Sequence, residues 1–154
     1  MFHIRIIAVG ILKDKRLKDV CEEYIKRIKT FAKLDIFEVA ASSSFSEGDK
    51  KRVQKEEEER INKMLKKGGG RVILLSEDGL EYTSPDFATF LTQKNEETTF
   101  IIGGSFGFSE DFKKKHNLCS LSLLTFPHEL ARVMLVEQLY RATTLNQKSN
   151  KYHK

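Results

Sequence analysis

Five short strand-patterned runs, each followed by a helix-patterned stretch, set the strongest limit on how this chain can fold. Phe2–Val9 is an apolar run that stops at Gly10, and residues 34–40, 71–75, 98–102 and 118–124 repeat the pattern. Between the first two runs, Leu17, Val20, Cys21, Tyr24 and Ile28 recur at helical spacing over residues 17–28. Residues 50–67 are rich in Lys and Glu, with Val53, Ile61, Met64 and Leu65 as the few apolar anchors, and predict a helix lying on the surface that Gly68, Gly69 and Gly70 stop. Ser84-Pro85 opens a third helix with a capping residue and a proline at its first position. Ser109 begins a fourth, and residues 127–145 form a fifth. Strands separated by helices predict an α/β three-layer sandwich with a mainly parallel sheet, in which ligands bind outside the carboxyl ends of the strands.

The 154 residues suit one domain, with no repeat or linker to divide it. A net charge of +5 arises from 27 basic and 22 acidic residues, so most charges pair or face solvent and basicity alone does not select a polyanionic partner. Cys21 and Cys119 lack ligand spacing and read as reduced core thiols, and no cluster calls for a metal. His3 and Arg5 interrupt the first apolar run, and nothing approaches the roughly 20 apolar residues needed to span a bilayer. A cytoplasmic protein is expected.

Chemistry concentrates in the last third. Gly103, Gly104 and Gly107 follow directly on the fourth strand, where they either make a tight turn or let backbone amides approach a ligand. Residues 118–124 run into Thr125-Phe126-Pro127. Leu121, Leu123, Leu124 and Phe126 could line an adenine pocket, or they could equally be core strand leading to a capped helix. The final helix is apolar on more than one face, which predicts that a second copy covers part of it. It also sets His128 and Arg132, and Glu137 and Arg141, four residues apart. The second pair is either a simple helix-stabilising pair or the edge of a cleft in which Arg141 offers its donors to a phosphate or base carbonyl. The tail ending in Tyr152-His153-Lys154 either frays or stacks on an unpaired base beside phosphate.

Taken together, Ile7-Ala-Val-Gly10, Ile101-Ile-Gly-Gly-Ser-Phe-Gly107, Leu121-Ser-Leu-Leu-Thr-Phe-Pro-His128, Arg132-Val133, Glu137-Gln-Leu-Tyr-Arg-Ala142 and the terminal Tyr152-His-Lys154 resemble the SPOUT, or trefoil-knot, methyltransferases. More narrowly, they resemble the ribosomal RNA large subunit methyltransferase H family. The resemblance covers essentially the whole chain. It implies a C-terminal trefoil knot, S-adenosylmethionine as cofactor, and a homodimer with its active site at the subunit interface. It also implies methylation of N3 of a pseudouridine in large-subunit rRNA, within the assembled ribosome. The cofactor positions it carries over are Leu75, Gly103, Leu121, Ser122, Leu123, Leu124, Thr125 and Phe126, to which the glycine reading adds Gly104 and Gly107. His128, Arg132, Arg141, Tyr152, His153 and Lys154 become candidates for holding RNA and assisting transfer. The chain departs from the family pattern in residues 147–151, which lack the usual glycine before the Tyr-His pair, and at Glu129, where glutamine is common and where a negative charge is expected to oppose RNA.

Such a transfer relies on alignment of nucleophile and methyl and on removal of one proton from N3. Arg141 is the expected donor to a base carbonyl, and His128 or His153 the expected proton acceptor. Two rival readings are a knotted methyltransferase acting on another RNA and an inactive, ribosome-associated RNA-binding factor.

Overall fold

A computed structural model describes residues 2–147. In chain order the elements are β1 (Phe2–Val9), α1 (Lys15–Ile28), β2 (Ala32–Val39), a 3-10 turn (Glu47–Asp49), α2 (Lys50–Leu65), β3 (Arg71–Glu81), α3 (Ser84–Thr92), β4 (Thr98–Ile102), α4 (Glu110–Lys114), β5 (Asn117–Ser120) and α5 (His128–Leu145). The strands form one sheet in the order β2-β1-β4-β3-β5, and every neighbouring pair is parallel.

Alternation along the central strands builds the two outer layers. Ile4, Ile6 and Ala8 of β1 join Phe100 and Ile102 of β4 in a cluster closed by Cys21 and Ile28 of α1, Phe87 and Leu91 of α3, and Leu135, Val136 and Leu139 of α5. Ile7 and Val9, on the opposite face, pack with Leu74, Ile101, Ile61 of α2 and Phe108 and Phe112 around α4. Both faces of the sheet are therefore covered, as a parallel sheet requires. All five residues of β4 are buried.

Element boundaries shift from the sequence pattern for local reasons. Asp14 accepts a hydrogen bond from the Arg16 amide and starts α1 at Lys15. Thr83, not Ser84, caps α3 by accepting from the Asp86 amide. β3 runs on past Leu75 to Glu81 because Leu75 and Leu80 both pair with Cys119, so residues 76–79 loop out of register between them. Gly79 permits this: a Cβ there would lie 2.6 Å from the Cys119 amide nitrogen. β5 is shorter than the expected 118–124, ending at Ser120.

Phe100 is fully buried where α3 meets the sheet, with its ring centroid 6.0 Å from that of Phe87. Phe100→Ala is expected to lower unfolding free energy by about 3–5 kcal/mol in chemical denaturation, with an unchanged far-ultraviolet spectrum.

Candidate functional site

The carboxyl ends of β3, β4 and β5 open into one cavity of about 1520 Å³. This is larger than the roughly 300–1,000 Å³ typical of a small-molecule site. Its walls include Leu75 and Ser76 of β3, Ile102 at the end of β4 with residues 103–109 beyond it, and residues 121–128 apart from Leu123. Nine of the ten expected cofactor positions thus meet at one place, while the Leu123 side chain points to solvent, 79% exposed.

The glycine segment after β4 follows the tight-turn geometry and also borders the cavity. Gly107 adopts a left-handed φ of 63° and donates its amide to the Gly104 carbonyl at 3.0 Å. A Cβ on Gly103 would come within 3.1 Å of the Phe108 ring, and one on Gly104 within 2.8 Å of Glu57 Oε1.

That contact exposes what the sequence pattern missed in α2. This helix was expected to be anchored by apolar residues alone, yet it buries Gln54 and Glu57 alongside Val53 and Ile61. Gln54 Nε2 donates to the Phe106 carbonyl at 3.0 Å. Glu57 Oε2 accepts from the Ser42 amide at 3.0 Å, and Glu58 accepts from the Ser109 amide at 2.8 Å and from its hydroxyl at 2.6 Å. The spacing 54, 57, 58 lies on one helical face and was the available signal.

Residues 121–127 form a loop rather than strand. The Ser120 hydroxyl donates to the Ser122 carbonyl at 2.7 Å, and the Leu124 amide donates to Ser122 Oγ at 3.0 Å. Serine side chains so placed compete with ladder pairing and turn the chain out of the sheet. Leu124, 72% exposed, is left as an uncovered apolar wall of the cavity.

α5 distributes its polar residues along its length. His128, in its first turn, lines the cavity and sits against the end of β1, where a Cβ on Gly10 would lie 3.6 Å from its Nε2. Glu129 accepts from the Lys13 amide and from the Asp14 amide at 3.1 Å; these amides hold its carboxyl below the ordinary range. The acidic charge expected to oppose RNA is thus engaged in fastening the loop before α1. Arg132, expected on the RNA side, is turned inward: Nη1 meets Glu38 Oε2 at 2.7 Å, Nη2 donates to the Gly10 carbonyl at 3.0 Å, and the residue is buried. Arg141 donates to Glu137 Oε1 at 2.6 Å. It lies thirteen residues beyond His128 on α5, about 20 Å along the helix axis, and it is not among the cavity's lining residues. Tyr152, His153 and Lys154 lie outside the described residues. Among the described residues no group of His, Cys, Asp or Glu is arranged to hold a metal ion.

Burial raises the Glu57 carboxyl above the 4.5 usual for a glutamate, helped by neighbouring Glu58 and Glu56 and opposed by the Ser42 amide and Arg60. The folded chain then holds this proton more tightly than the unfolded chain. The site's contribution to stability is complete below the ordinary value and is lost as pH climbs through the raised one. Glu57→Gln removes that loss, so its melting temperature relative to wild type is expected to rise as pH climbs above the ordinary carboxylate value and to level off once Glu57 is ionised, read by scanning calorimetry.

Comparison with known proteins identifies the family. Residues 2–153 match the family described as "Predicted SPOUT methyltransferase". A protein named "Ribosomal RNA large subunit methyltransferase H" from Streptococcus uberis is 40% identical over 98% of this chain and 99% of its own. Proteins of the same name from Desulfitobacterium hafniense and Streptococcus thermophilus are 40% and 44% identical, covering 100% and 98% of this chain and 100% and 99% of their own. With a family match across nearly its whole length and a glycine loop, leucine-lined wall and histidine gathered at the strand ends, the chain belongs to the SPOUT methyltransferase family.

Proposed function

We propose that this protein transfers a methyl group from S-adenosylmethionine to N3 of a pseudouridine in large-subunit rRNA. The observation that carries this reading is the convergence of the β3, β4 and β5 ends on one cavity, in a chain matching proteins named for large-subunit rRNA methylation along almost their full length.

The residues fit the cofactor. Leu121, Leu124 and Phe126 offer an apolar slot for a flat ring, and a glycine-lined wall at 103 and 104 lets the backbone come close where any side chain would collide with Phe108 or Glu57. S-Adenosylmethionine supplies an electrophilic methyl group when bound. The cavity's remaining volume leaves room for one extruded base beside it.

The chain's own residues hold and deprotonate that base. His128 stands on the cavity wall, where a neutral imidazole can accept the N3 proton; His153 is the second candidate. Arg141 donates to a base carbonyl and stabilises charge as N3 loses its proton, with Glu137 fixing the direction of its guanidinium. Arg132 works indirectly, by fastening α5 to Gly10 and so keeping His128 over the end of β1.

The distance along α5 between His128 and Arg141 favours a composite site. A second copy, covering Met134 and the exposed Ile11 and Val20, would bring its Arg141 to this chain's cavity. Any such arrangement is a homodimer. The C-terminal knot implied by the family belongs to the same proposal, as does the cytoplasm, where ribosomes are found.

Incubated with methyl-labelled S-adenosylmethionine and ribosomes from cells lacking the modification, the protein is expected to label N3 of one large-subunit pseudouridine, read by mass spectrometry of digested rRNA. Cofactor binding with label elsewhere would shift the substrate to another RNA. Neither binding nor label would favour the inactive binding factor.

Arg141→Ala should lower turnover by about 10²-fold while leaving cofactor affinity intact by calorimetry. Co-expressing it with the cavity variant Gly104→Val tests the shared site. Mixed dimers would restore about a quarter of wild-type activity if Arg141 acts across the interface, and none if it serves its own cavity.

A further inference from the structure

We propose that α2 is the positioning element for the cofactor loop, with Gln54, Glu57 and Glu58 setting the place of residues 103–109 from behind. The proposal rests on the reading of the cavity as the S-adenosylmethionine site. It assigns a role to side chains that do not touch the cofactor themselves.

Three side chains of one helical face reach the loop, two as hydrogen-bonded tethers and one as a packing contact. Gln54 Nε2 holds the Phe106 carbonyl at 3.0 Å. Glu58 holds Ser109 through both amide and hydroxyl, at 2.8 and 2.6 Å, and Ser109 in turn caps α4 by accepting from the Phe112 amide. Glu57 backs Gly104: Oε1 stands where a Cβ on that glycine would be only 2.8 Å away, and the same atom has no hydrogen-bond partner among the described residues. Its other oxygen accepts from the Ser42 amide, so the carboxyl spans from the loop after β2 to the loop after β4.

Gln54 and Glu57 are 6% and 3% exposed. Burying polar side chains is unfavourable unless their hydrogen bonds are made, so a helix needing only to cover the sheet would carry apolar residues at these positions. α2 does use Val53 and Ile61 for that purpose. Gln54 instead holds the Phe106 carbonyl, in a segment whose glycines leave it few conformational limits of its own, and Glu57 holds the Ser42 amide while packing behind Gly104. A loop so permissive binds a cofactor well only if something else restricts it beforehand.

The test uses full-length protein, with calorimetry of S-adenosylmethionine and steady-state kinetics on unmodified ribosomes. Gln54→Met keeps the side chain's length but removes the donor to the Phe106 carbonyl, and Glu58→Ala removes both contacts to Ser109. Each is expected to weaken cofactor affinity about tenfold and raise the cofactor KM to match, with the KM for ribosomes and the melting temperature nearly unchanged. Glu58→Gln, which retains an acceptor for the Ser109 amide, should restore affinity to within about twofold of wild type. Wild-type cofactor affinity in Gln54→Met and Glu58→Ala would overturn the proposal. So would cofactor and ribosome affinities falling together with the melting temperature, which marks general destabilisation. If wild type itself bound no S-adenosylmethionine, the reading of the cavity would fall, and the positioning role with it.

Discussion

A sheet whose strands all run one way must be covered on both faces, and most of this structure follows from that requirement. β1 meets it by alternation: Ile4, Ile6 and Ala8 serve one layer, and Ile7 and Val9 the other. The helices then occupy the faces, leaving the strand ends as the uncovered part of the sheet. The cavity forms at the carboxyl ends, where the glycine- and serine-rich segment after β4 and the loop after β5 leave the sheet uncovered. The same sheet order that fills the core therefore also gathers residues 75, 103 and 121–126 from three separate segments.

Charged groups brought inside serve as fasteners at strand ends. Arg132 joins the first turns of α5 to Gly10 and Glu38. At the opposite end of the sheet, Arg5 reaches the Met64 carbonyl at 3.0 Å and Glu97 at 3.4 Å, where Glu97 also accepts from the Gly69 amide. Arg71 closes α3 by donating to the carbonyls of Phe90 and Leu91. In each case a guanidinium binds a backbone carbonyl at or just beyond the end of a helix or strand. Arginine's fixed fork of donors suits this better than a lysine's single ammonium.

How much of this could be read beforehand depended on whether a residue's partner was near in sequence. Strands β1 and β4 were legible because their apolar runs carry enough information alone, and the glycine turn and the start of α5 were legible from local chemistry. The end of β5 was not. Leu121 to Leu124 continue an apolar pattern, but the neighbouring strand pairs only as far as Ser120, and two serine side chains satisfy the backbone beyond it. The inward turn of Arg132 depends on Glu38, ninety-four positions away. Likewise the charge run in α2 looked solvated because Ser42, Phe106 and Ser109 come to it only through the tertiary fold.

α5, the last described element in chain order, supplies Leu135, Val136, Leu139 and Ala142 to the larger of the two cores, all nearly or fully buried. During synthesis, the layer it completes with α1 and α3 stays unfilled while this helix is still inside the ribosomal exit tunnel. Ile4, Ile6 and Phe100 must wait, partly uncovered, for residues made long after them. For such a protein, premature termination within α5 would not yield a shortened enzyme. It would leave a sheet with one face open to aggregation and chaperone capture.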